Sequence, residues 1–257
     1  MYKNLTDLSG KRALVTGGGR GIGLCAADAL AEAGASVVIV DLSEQLLEEG
    51  LAFLRSKGHE AEGLVLDVSD SDAIERVAEE VETKSGPMDI LIANAGISGP
   101  DTPAENLTDE AWHRIMKVNL DGVFWSCRAF GKRMLERRQG AIVTVGSMSG
   151  FISNKPQKQV DYNASKAALH HLTRSLAGEW ADRGVRVNAV APTYVNTPMS
   201  NITAKNPHYF EAWMEGTPMR RMIEPEEVAA AILFLASPAA SAITGAILPV
   251  DAGYTIW

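Results

Sequence analysis

Tyr162 and Lys166 stand four residues apart in the segment VDYNASKAAL, residues 160–169. At this spacing two side chains lie on the same face of a helix. A free phenol has a pKa of about 10 and is a poor base at neutral pH, but a neighbouring ammonium favours the phenolate and lowers that pKa. The pair therefore predicts an acid–base catalyst, although the same spacing also occurs in ordinary amphipathic helices.

A third candidate, Ser147, stands at the end of an apolar run. Residues 140–147 have the composition of a buried strand, and Ser147 is the last of them. Active sites of open α/β sheets lie at the carboxyl ends of the strands. The Ser147 hydroxyl could therefore hydrogen-bond a substrate oxygen beside Tyr162.

Apolar runs rich in β-branched residues alternate with helical patterns along the whole chain. The runs are continuous, which is typical of parallel strands that helices bury on both faces. Right-handed crossovers then favour one doubly wound sheet. We therefore predict a single-domain α/β Rossmann fold over residues 1–257, with a seven-stranded parallel sheet flanked by helices. The expected strands are residues 13–16, 36–41, 63–67, 89–96, 140–147, 184–192 and 245–251. The expected helices are residues 21–34, 42–58, 71–86, 108–137, 160–184 and 224–238.

The composition narrows the class of protein. Apolar residues make up 46% of the 257 residues, enough for a large core. The net charge of −8 argues against a nucleic-acid binder, which needs a basic face. The sequence contains no pattern of a signal peptide and no apolar run of the roughly 20 residues that span a bilayer. Cys25 and Cys127 lie in patterns that indicate buried helix. We expect a cytoplasmic protein without a membrane or nucleic-acid partner.

The segment TGGGRGIG, residues 16–23, joins the first predicted strand to the first predicted helix. Glycines let such a turn approach a pyrophosphate, and the helix N-terminus offers amide donors and positive potential. Glycines alone often mark only a turn, but the strand–turn–helix context favours dinucleotide binding. The candidate phosphate-binding residues are Gly17, Gly19, Arg20, Gly21, Ile22 and Gly23.

The second predicted strand ends at Asp41, 18 residues after Gly23. A carboxylate there can accept both ribose hydroxyls of an adenosine and repels a 2′-phosphate. Helix capping is the plainer role, since a helical pattern follows. Arg20 favours a 2′-phosphate, but the Asp41 charge would stand at the position of that phosphate. We expect NAD in preference to NADP.

Several motifs, taken in order along the chain, resemble the short-chain dehydrogenase/reductase family. They are TGGGRGIG at 16–23, Asp67–Val68, ANAG at 93–96, Asn119, Ser147, YNASK at 162–166 and GAILPVDAGY at 245–254. The resemblance covers essentially the whole chain and implies a catalytic set of Asn119, Ser147, Tyr162 and Lys166. In such a set Tyr162 acts as the acid–base, Ser147 holds the substrate oxygen, Lys166 orients the cofactor ribose, and the Asn119 region holds a relay water.

The same resemblance implies further cofactor contacts beyond Tyr162 and Lys166. It places the adenine at Asp67 and Val68, and it implies that the remaining cleft is lined by Asn94, Ala95, Gly96, Pro192, Val195 and Thr197. It also implies a homotetramer with helices 108–137 and 160–182 pairing across subunits. Since Asn is a poor helix former, its central position in the first of these helices predicts a local kink or bulge.

The chain departs from the family pattern at two positions. Thr193 follows Pro192 where the family usually has glycine, so the loop over the nicotinamide could sit differently. Ala252 stands between Asp251 and Gly253 where Asp-Gly-Gly is common. We interpret the second departure as a variation in packing.

The segment between Ser147 and Tyr162 is slightly longer than is common in the family. In it, Ser149 and Asn154 add a hydroxyl and an amide beside Ser147. Neutral donors and acceptors suit a polyhydroxylated substrate, because each hydroxyl needs a partner once it is desolvated. Both residues could instead be ordinary turn residues. The pattern also resembles the bacterial galactitol/polyol dehydrogenase branch of the family.

We therefore expect an enzyme that oxidises a secondary alcohol of a sugar alcohol to a ketose, reversibly and with NAD. The candidate substrate-binding residues are Ser147, Ser149, Asn154, Tyr162 and Tyr194. The long, irregular residues 193–222 predict a substrate lid, in which Tyr194, Met199 and Trp213 face either the pocket or the core. We expect His113, His170 and His171 in helices away from the catalytic residues, and therefore no catalytic metal.

Two other functions stay open. A 3-oxoacyl-carrier-protein reductase, or another carbonyl reductase, would share the catalytic set but would usually need NADPH and a basic dock for its carrier. A basic cluster that could form such a dock, or simply a solvated helix face, comprises Arg128, Lys132, Arg133, Arg137 and Arg138. A nucleotide-binding regulatory protein could use the fold without chemistry, but it would not need Tyr162 beside Lys166.

Overall fold

Seven parallel strands form one sheet in the spatial order β3-β2-β1-β4-β5-β6-β7 in the computed structural model, which describes residues 4–200 and 206–257. The predicted doubly wound α/β fold is confirmed. The strands are β1 Arg12–Thr16, β2 Ser36–Asp41, β3 Ala61–Val65, β4 Ile90–Ala93, β5 Gly140–Val145, β6 Val185–Pro192 and β7 Ile247–Val250. The helices are α1 Gly21–Glu32, α2 Glu44–Ser56, α3 Ser71–Ser85, α4 Asp109–Met116, α5 Gly122–Arg137, α6 Val160–Trp180, α7 Pro207–Gly216 and α8 Pro225–Ala236.

The continuous apolar runs arise because helices cover both faces of the sheet. Along β1, Val15 belongs to a core cluster that includes Leu30 of α1 and Ile232 of α8. Leu14, which points to the opposite face, belongs to a second cluster that includes Phe130 of α5. Successive strand residues are therefore buried on alternate sides, and no polar face is left along the strand.

The order of the strands creates a crevice at the centre of the sheet. β1 pairs with β2 on one side and with β4 on the other, in parallel register in both cases. Connections from neighbouring strands leave in opposite directions at such a switch point, so a cleft opens at the carboxyl ends of the strands. The segments that follow β1, β4, β5 and β6 meet at this edge.

The expected long helix over residues 108–137 contains one irregular turn. The helix begins after Thr108, whose Oγ1 accepts the Ala111 N–H at 3.2 Å. Lys117–Asp121 then form a π-helical turn between α4 and α5. The prediction of one long helix with a local kink or bulge at Asn119 is therefore confirmed, and the bulge is this π-helical turn.

The C-terminal end of α8 is closed by a side chain from the sheet. Arg186 on β6 donates hydrogen bonds to the carbonyl oxygens of Leu235 at 2.8 Å, Ala236 at 3.3 Å and Ser237 at 3.2 Å. It also reaches the carbonyl of Ile243 at 3.3 Å. The last carbonyls of a helix have no partner within the helix, so one guanidinium anchors α8 to β6.

Ala252 has a strained backbone, which corrects the interpretation of this position as a variation in packing. Its φ is +51°, in the left-handed region that glycine adopts more readily. The turn is held by Asp251, which accepts the N–H groups of Gly253 at 3.0 Å and Thr255 at 2.9 Å. The strain arises because these bonds fix the backbone around a residue that carries a Cβ.

Within the described ranges, no helix is long and apolar enough to cross a membrane. Cys127 is buried as expected, but Cys25 is only partly buried. Its Sγ lies 3.7 Å from a carboxylate oxygen of Glu226, and burial and this carboxylate raise the pKa of the thiol to about 12.

Candidate active site

The loop between β1 and α1 has a shape that only glycine permits. Gly17 and Gly21 adopt φ values of +62° and +56°. A Cβ on Gly23 would lie 2.1 Å from the Gly17 carbonyl oxygen and 2.5 Å from Asn94 Nδ2. The loop is therefore a bare backbone cradle at a helix N-terminus, which fits the pyrophosphate of a dinucleotide.

Two polar side chains hold this cradle against β4. Asn94 Nδ2 donates to the carbonyls of Thr16 at 2.9 Å and Gly17 at 3.0 Å. Thr16 Oγ1 in turn accepts the N–H groups of Asn94 and Ala95, both at 3.0 Å. The sequence reasoning singled out Asn94 but not Thr16, although Thr16 stands at the start of the glycine segment.

Asp41 closes the far end of the cradle. Its Oδ2 accepts the Gly19 N–H at 3.1 Å, and its Oδ1 accepts the Ser43 N–H at 3.3 Å. Each carboxylate oxygen keeps a lone pair for a ribose hydroxyl. Arg20, which is exposed, lines the same cleft.

The cleft has a volume of about 460 Å³ and runs along the carboxyl edge of the sheet. It brings together most of the residues predicted to bind the cofactor. Gly19 and Gly23 are the two predicted residues that do not line it. The predicted residues that line it are Gly17, Arg20, Gly21, Ile22, Asp41, Asp67, Val68, Asn94, Ala95, Gly96, Ser147, Tyr162, Lys166, Pro192, Val195 and Thr197.

Ser147 and Tyr162 stand at the inner end of this cleft. Ser147 Oγ accepts the Ser149 N–H at 3.1 Å and donates to Ser149 Oγ at 3.0 Å. Burial raises the pKa of the Tyr162 phenol above its usual value, and a hydrogen bond with Ser147 opposes that shift. The expected lowering of this pKa by Lys166 is therefore not found in the chain by itself, because desolvation dominates.

Lys166 is buried beneath Tyr162, one helical turn further along α6. Its Nζ donates to the Val145 carbonyl at 2.8 Å and lies 5.6 Å from the centroid of the Tyr162 ring. Burial lowers the pKa of Lys166 to about 8. The ammonium form therefore predominates at neutral pH and places a positive charge beside the phenol.

Asn119 is fully buried within the π-helical turn and lines neither cavity. Its Oδ1 accepts the Ile97 N–H at 2.8 Å, and its Nδ2 donates to the Ile97 carbonyl at 2.9 Å. A longer bond of 3.3 Å reaches Ser165 Oγ on α6. The side chain thus ties the loop after β4 to the helix that carries Tyr162.

A second cavity of about 140 Å³ adjoins the cleft and shares Ser147 and Tyr162 with it. Most of the rest of its wall comes from the loop after β4, the segment after β5 and the segments after β6. The polar and aromatic side chains of that wall are Ser98, Asp101, Ser149, Asn154, Gln157, Lys158, Gln159, Thr193, Tyr194, Ser200 and Trp213. All three predicted substrate residues outside the catalytic set are among them, whereas Ser98 and Asp101 carried no recognisable signal in the sequence.

Comparison with known proteins shows similarity over nearly the whole chain. A family model described as enoyl-(acyl carrier protein) reductase matches residues 17–255. Galactitol 2-dehydrogenase from Rhizobium johnstonii is 55% identical over 256 residues, covering 100% of this chain and 99% of that protein. The L-tagatose-forming galactitol 2-dehydrogenase of Cereibacter sphaeroides is 49% identical, with coverage of 100% and 99%.

The chain belongs to the short-chain dehydrogenase/reductase family. It resembles the galactitol dehydrogenase branch and is an oxidoreductase acting on CH–OH groups. The crystal structure of gox2181 superimposes with a TM-score of 0.99 at 47% identity, covering 100% of both chains. Gluconate 5-dehydrogenase from Burkholderia cenocepacia J2315, solved with NADP and tartrate, gives a TM-score of 0.94 at 34% identity, again over 100% of both chains.

One wall of the enzyme's second cavity is a connected network around Tyr194. The Tyr194 hydroxyl accepts N–H bonds from Asn154 at 3.4 Å and from Gln157 at 3.2 Å. Gln157 Oε1 accepts the Trp213 Nε1–H at 3.0 Å. The Trp213 ring stacks on Tyr194 with centroids 3.9 Å apart. These contacts orient both amides, and Asn154 Oδ1 is left buried without a partner among the described residues.

The predicted lid, residues 193–222, is described except for residues 201–205, which lie outside the described residues. Tyr194 and Trp213 are buried against the second cavity, whereas Met199 lines its mouth and is 44% exposed. Tyr209 on α7 donates a hydrogen bond to Asp101 in the loop after β4. The α7 segment is thus joined to the opposite rim of the cavity.

The loop after β6 differs locally from the family pattern at Thr193. Its N–H donates to the Val250 carbonyl at 3.2 Å, while its hydroxyl is buried without a partner in the part of the chain that the structure describes. Val195 and Thr197 still line the cleft. The replacement of glycine therefore leaves both residues in the wall of the cleft.

His170 does not lie away from the catalytic residues, contrary to the expectation from sequence. Its Nε2 accepts the backbone N–H of Ser147 at a long distance of 3.5 Å. The sequence correctly placed His170 in a helix, α6. That helix packs beneath the end of β5, and a local sequence pattern does not show which elements pack against each other.

Two clusters of charge lie outside the cleft. In the basic cluster, Arg133 pairs with Glu75 at 2.8 Å and Arg137 with Glu82 at 3.1 Å. Two of the five cations of this cluster thus already form ion pairs, which weakens it as a binding surface for an acidic carrier. The second cluster comprises Asp28, Glu32 and His59, which have the spacing of metal ligands. The Lys57 ammonium already lies 2.5 Å from Asp28 and 3.7 Å from Glu32, so the group is an ion-pair network.

Proposed function

We propose that the enzyme oxidises a secondary alcohol of a sugar alcohol, such as galactitol, to a ketose, reversibly and with NAD. The observation that carries this proposal is the polar wall of the second cavity, which adjoins Ser147 and Tyr162. Amide and hydroxyl groups in this wall outnumber its two charged side chains, Asp101 and Lys158. Asn154, Gln157, Ser149 and Gln159 offer amides and hydroxyls there. Such a wall pairs the several hydroxyls of a polyol, whereas an apolar acyl chain would leave these groups unpaired.

The size of the second cavity and the relatives support the same substrate class. At about 140 Å³ the cavity is smaller than the roughly 300 Å³ at which pockets for drug-sized ligands begin. Two relatives that cover the whole chain are galactitol 2-dehydrogenases. A small, hydroxylated substrate agrees with both observations.

The cofactor preference rests on Asp41. Its carboxylate lies at the end of the glycine cradle, where it can accept ribose hydroxyls and would repel a 2′-phosphate. Arg20 in the same cleft and the NADP of the Burkholderia structure favour NADP. We propose NAD because the negative charge is fixed by two backbone N–H groups, whereas the exposed Arg20 can turn toward solvent.

In the proposed reaction, the substrate hydroxyl hydrogen-bonds Ser147 Oγ and the Tyr162 oxygen. Tyr162, as the phenolate, accepts the hydroxyl proton while the hydrogen on the same carbon leaves as hydride. The nicotinamide, when bound, supplies the hydride acceptor. The Lys166 ammonium favours the phenolate and would hold the ribose of the bound cofactor, and Asn119 positions the loop and helix on either side of this centre.

The experiment that tests the proposal is an initial-rate assay of NADH formation against a panel of hexitols and pentitols, with NADP⁺ in parallel. Turnover of a polyol with a higher kcat/KM for NAD⁺ than for NADP⁺ is the expected result. A clear preference for NADP⁺ would refute the cofactor assignment. Inactivity on every polyol, together with NADPH-dependent reduction of acyl or other carbonyl substrates, would replace the proposal with the carbonyl reductase alternative.

We also propose that the enzyme is a homotetramer. Phe124 on α5 and Val160 at the start of α6 are large apolar side chains left exposed in the single chain. Trp257 at the C-terminal end is 80% exposed. Burial of these groups between subunits would remove apolar surface from water. Light scattering coupled to size-exclusion chromatography measures the mass, and a monomer of 27.5 kDa would refute the proposal.

A further inference from the structure

We propose that His170 is a positioning residue for Ser147. Its neutral imidazole accepts the backbone N–H of Ser147 and so holds the turn that directs the serine hydroxyl toward Tyr162. The inference rests on the proposed function, in which Ser147 hydrogen-bonds the substrate oxygen.

His170 belongs to the same helical face as the two residues of the catalytic pair on α6. It follows Lys166 by four residues and Tyr162 by eight, so the three side chains form a row. Its side chain is 3% exposed, and its Nε2 lies 3.5 Å from the Ser147 nitrogen. No other acceptor for that N–H is found among the described residues. The imidazole therefore supplies the partner for a buried backbone donor at the catalytic serine.

The turn that carries Ser147 is shaped to the imidazole ring. A Cβ on Gly146 would lie 2.5 Å from His170 Nε2, and a Cβ on Gly150 would lie 2.4 Å from its Cε1. The Phe151 ring packs on the imidazole with centroids 4.6 Å apart. Because two glycines and an aromatic ring enclose the imidazole, its position and that of the turn are fixed together.

The protonation state of His170 suits an acceptor. Burial, together with the positive charges of Lys166 and Arg174, lowers the pKa of His170 to about 4. A neutral imidazole has one acceptor nitrogen and one N–H. Since Nε2 faces a backbone donor, the proton belongs on Nδ1, and this tautomer is assigned from the hydrogen bond.

His170 Nδ1 is buried and has no partner among the described residues. An unpaired buried donor is unfavourable, so an apolar side chain would fill this space at lower cost if packing were its only role. The presence of a histidine at this position is therefore explained by the hydrogen bond that its Nε2 accepts from the Ser147 N–H. Loss of that acceptor would let the turn relax, and a displacement of about 1 Å at a catalytic group can cost on the order of 100-fold in rate.

The kinetic test compares His170→Leu with His170→Gln. Leucine fills the space without an acceptor, whereas the glutamine amide oxygen reaches the position of Nε2. His171→Gln, at the neighbouring exposed residue, is the matched control. We expect kcat to fall about tenfold or more in the leucine variant, with cofactor binding and the control unchanged. The glutamine variant should recover most of the loss.

A folded leucine variant that keeps kcat within about twofold of the original would overturn the inference, and so would losses in the leucine and glutamine variants that simply follow their melting temperatures. Ser147→Ala separates the two hypotheses. If Ser147→Ala keeps full turnover, the proposed role of the serine fails. If Ser147→Ala is inactive while His170→Leu is fully active, only the role of His170 fails.

A second measurement needs neither substrate nor a folded variant at position 170. The protein is labelled with ¹⁵N-histidine, and the imidazole nitrogen shifts are recorded between about pH 6 and pH 8. The five histidines make the spectrum tractable. We expect one buried imidazole that stays neutral with the proton on Nδ1. A proton on Nε2 would contradict the inference, because that nitrogen could not accept the Ser147 N–H.

Discussion

Asn154 gives the sharpest test of the proposed substrate class. Its side chain is 8% exposed, and its Oδ1 has no partner among the described residues. Within the described part of the chain, its Nδ2 makes only the 3.4 Å bond to Tyr194. The carbonyl oxygen is thus an acceptor at the wall of the second cavity, available for a substrate hydroxyl distant from the reacting carbon. We predict that Asn154→Leu lowers activity toward polyols selectively.

The magnitude follows from the hydrogen bond that is lost. In the leucine variant the distal hydroxyl of a polyol is buried without an acceptor, at a cost of about 1–3 kcal/mol. Since 1.4 kcal/mol corresponds to about tenfold, kcat/KM for the polyol should fall roughly 5- to 150-fold. A simple secondary alcohol such as cyclohexanol has no distal hydroxyl, so its kcat/KM should stay within about twofold.

The assay measures kcat/KM for galactitol and for cyclohexanol in both proteins and compares the two ratios. Ser153→Ala, at the exposed neighbouring residue, is the control and should leave both values unchanged. An equal loss on the two alcohols would mean that the substitution disturbs the catalytic residues instead. Unchanged polyol activity would refute the assignment of Asn154 to a substrate hydroxyl.

Three further predictions concern the proposed catalytic base and the scaffold. Tyr162→Phe should abolish turnover and spare cofactor binding, which fluorescence measures. Because burial raises the pKa of Tyr162, the rate of oxidation by the unaltered enzyme should increase as the pH rises. Arg186→Met should lower the free energy of unfolding by about 3 kcal/mol in chemical denaturation, because several carbonyls at the end of α8 lose a charged donor. Ala252→Gly should raise the free energy of unfolding by about 1 kcal/mol, because it relieves a φ of +51°.

Each of these three has a comparison that decides it. Robust turnover by Tyr162→Phe would remove the phenol from the mechanism. Arg183→Met, at an exposed arginine in the turn before β6, should cost almost nothing, and equal losses at both arginines would refute the helix-end role of Arg186. Ala231→Gly within α8 should lower stability by about 1 kcal/mol, so a similar loss at Ala252 would mean that its backbone is not strained.

The fold and the cofactor cleft are the parts that the sequence predicts well. Strand runs such as residues 36–41 are local patterns, and helices covering both faces of the sheet leave a continuous apolar signal. The glycine segment 16–23 is also contiguous, so its conformation follows from residue type. Gly17 and Gly21 indeed take positive φ values. The sequence separation between the glycine segment and Asp41 is also predictable, because it corresponds to one helix, α1, and one strand, β2.

The parts that the sequence does not predict depend on long-range crossing of elements. His170 and Ser147 are 23 residues apart, and only the packing of α6 under β5 brings them together. The pKa of Tyr162 is another such case, because the spacing to Lys166 is visible in the sequence but the extent of burial is not. The π-helical turn at Asn119 was predicted only as an irregularity, and the hydrogen bonds of Asn119 to Ile97, 22 residues earlier, are long-range contacts that the local sequence does not reveal.

The sharing of Ser147 and Tyr162 between the two cavities determines which residues can change the substrate without changing the chemistry. Asn154 and Gln157 contact Tyr194 and, among the hydrogen bonds of the described residues, make none to Ser147, so we expect substitutions there to alter the wall alone. Ser149 differs, because its backbone and side chain both hydrogen-bond Ser147 Oγ. Substitution of Ser149 would therefore change kcat on every substrate, whereas substrate choice in this enzyme should vary through the wall around Tyr194.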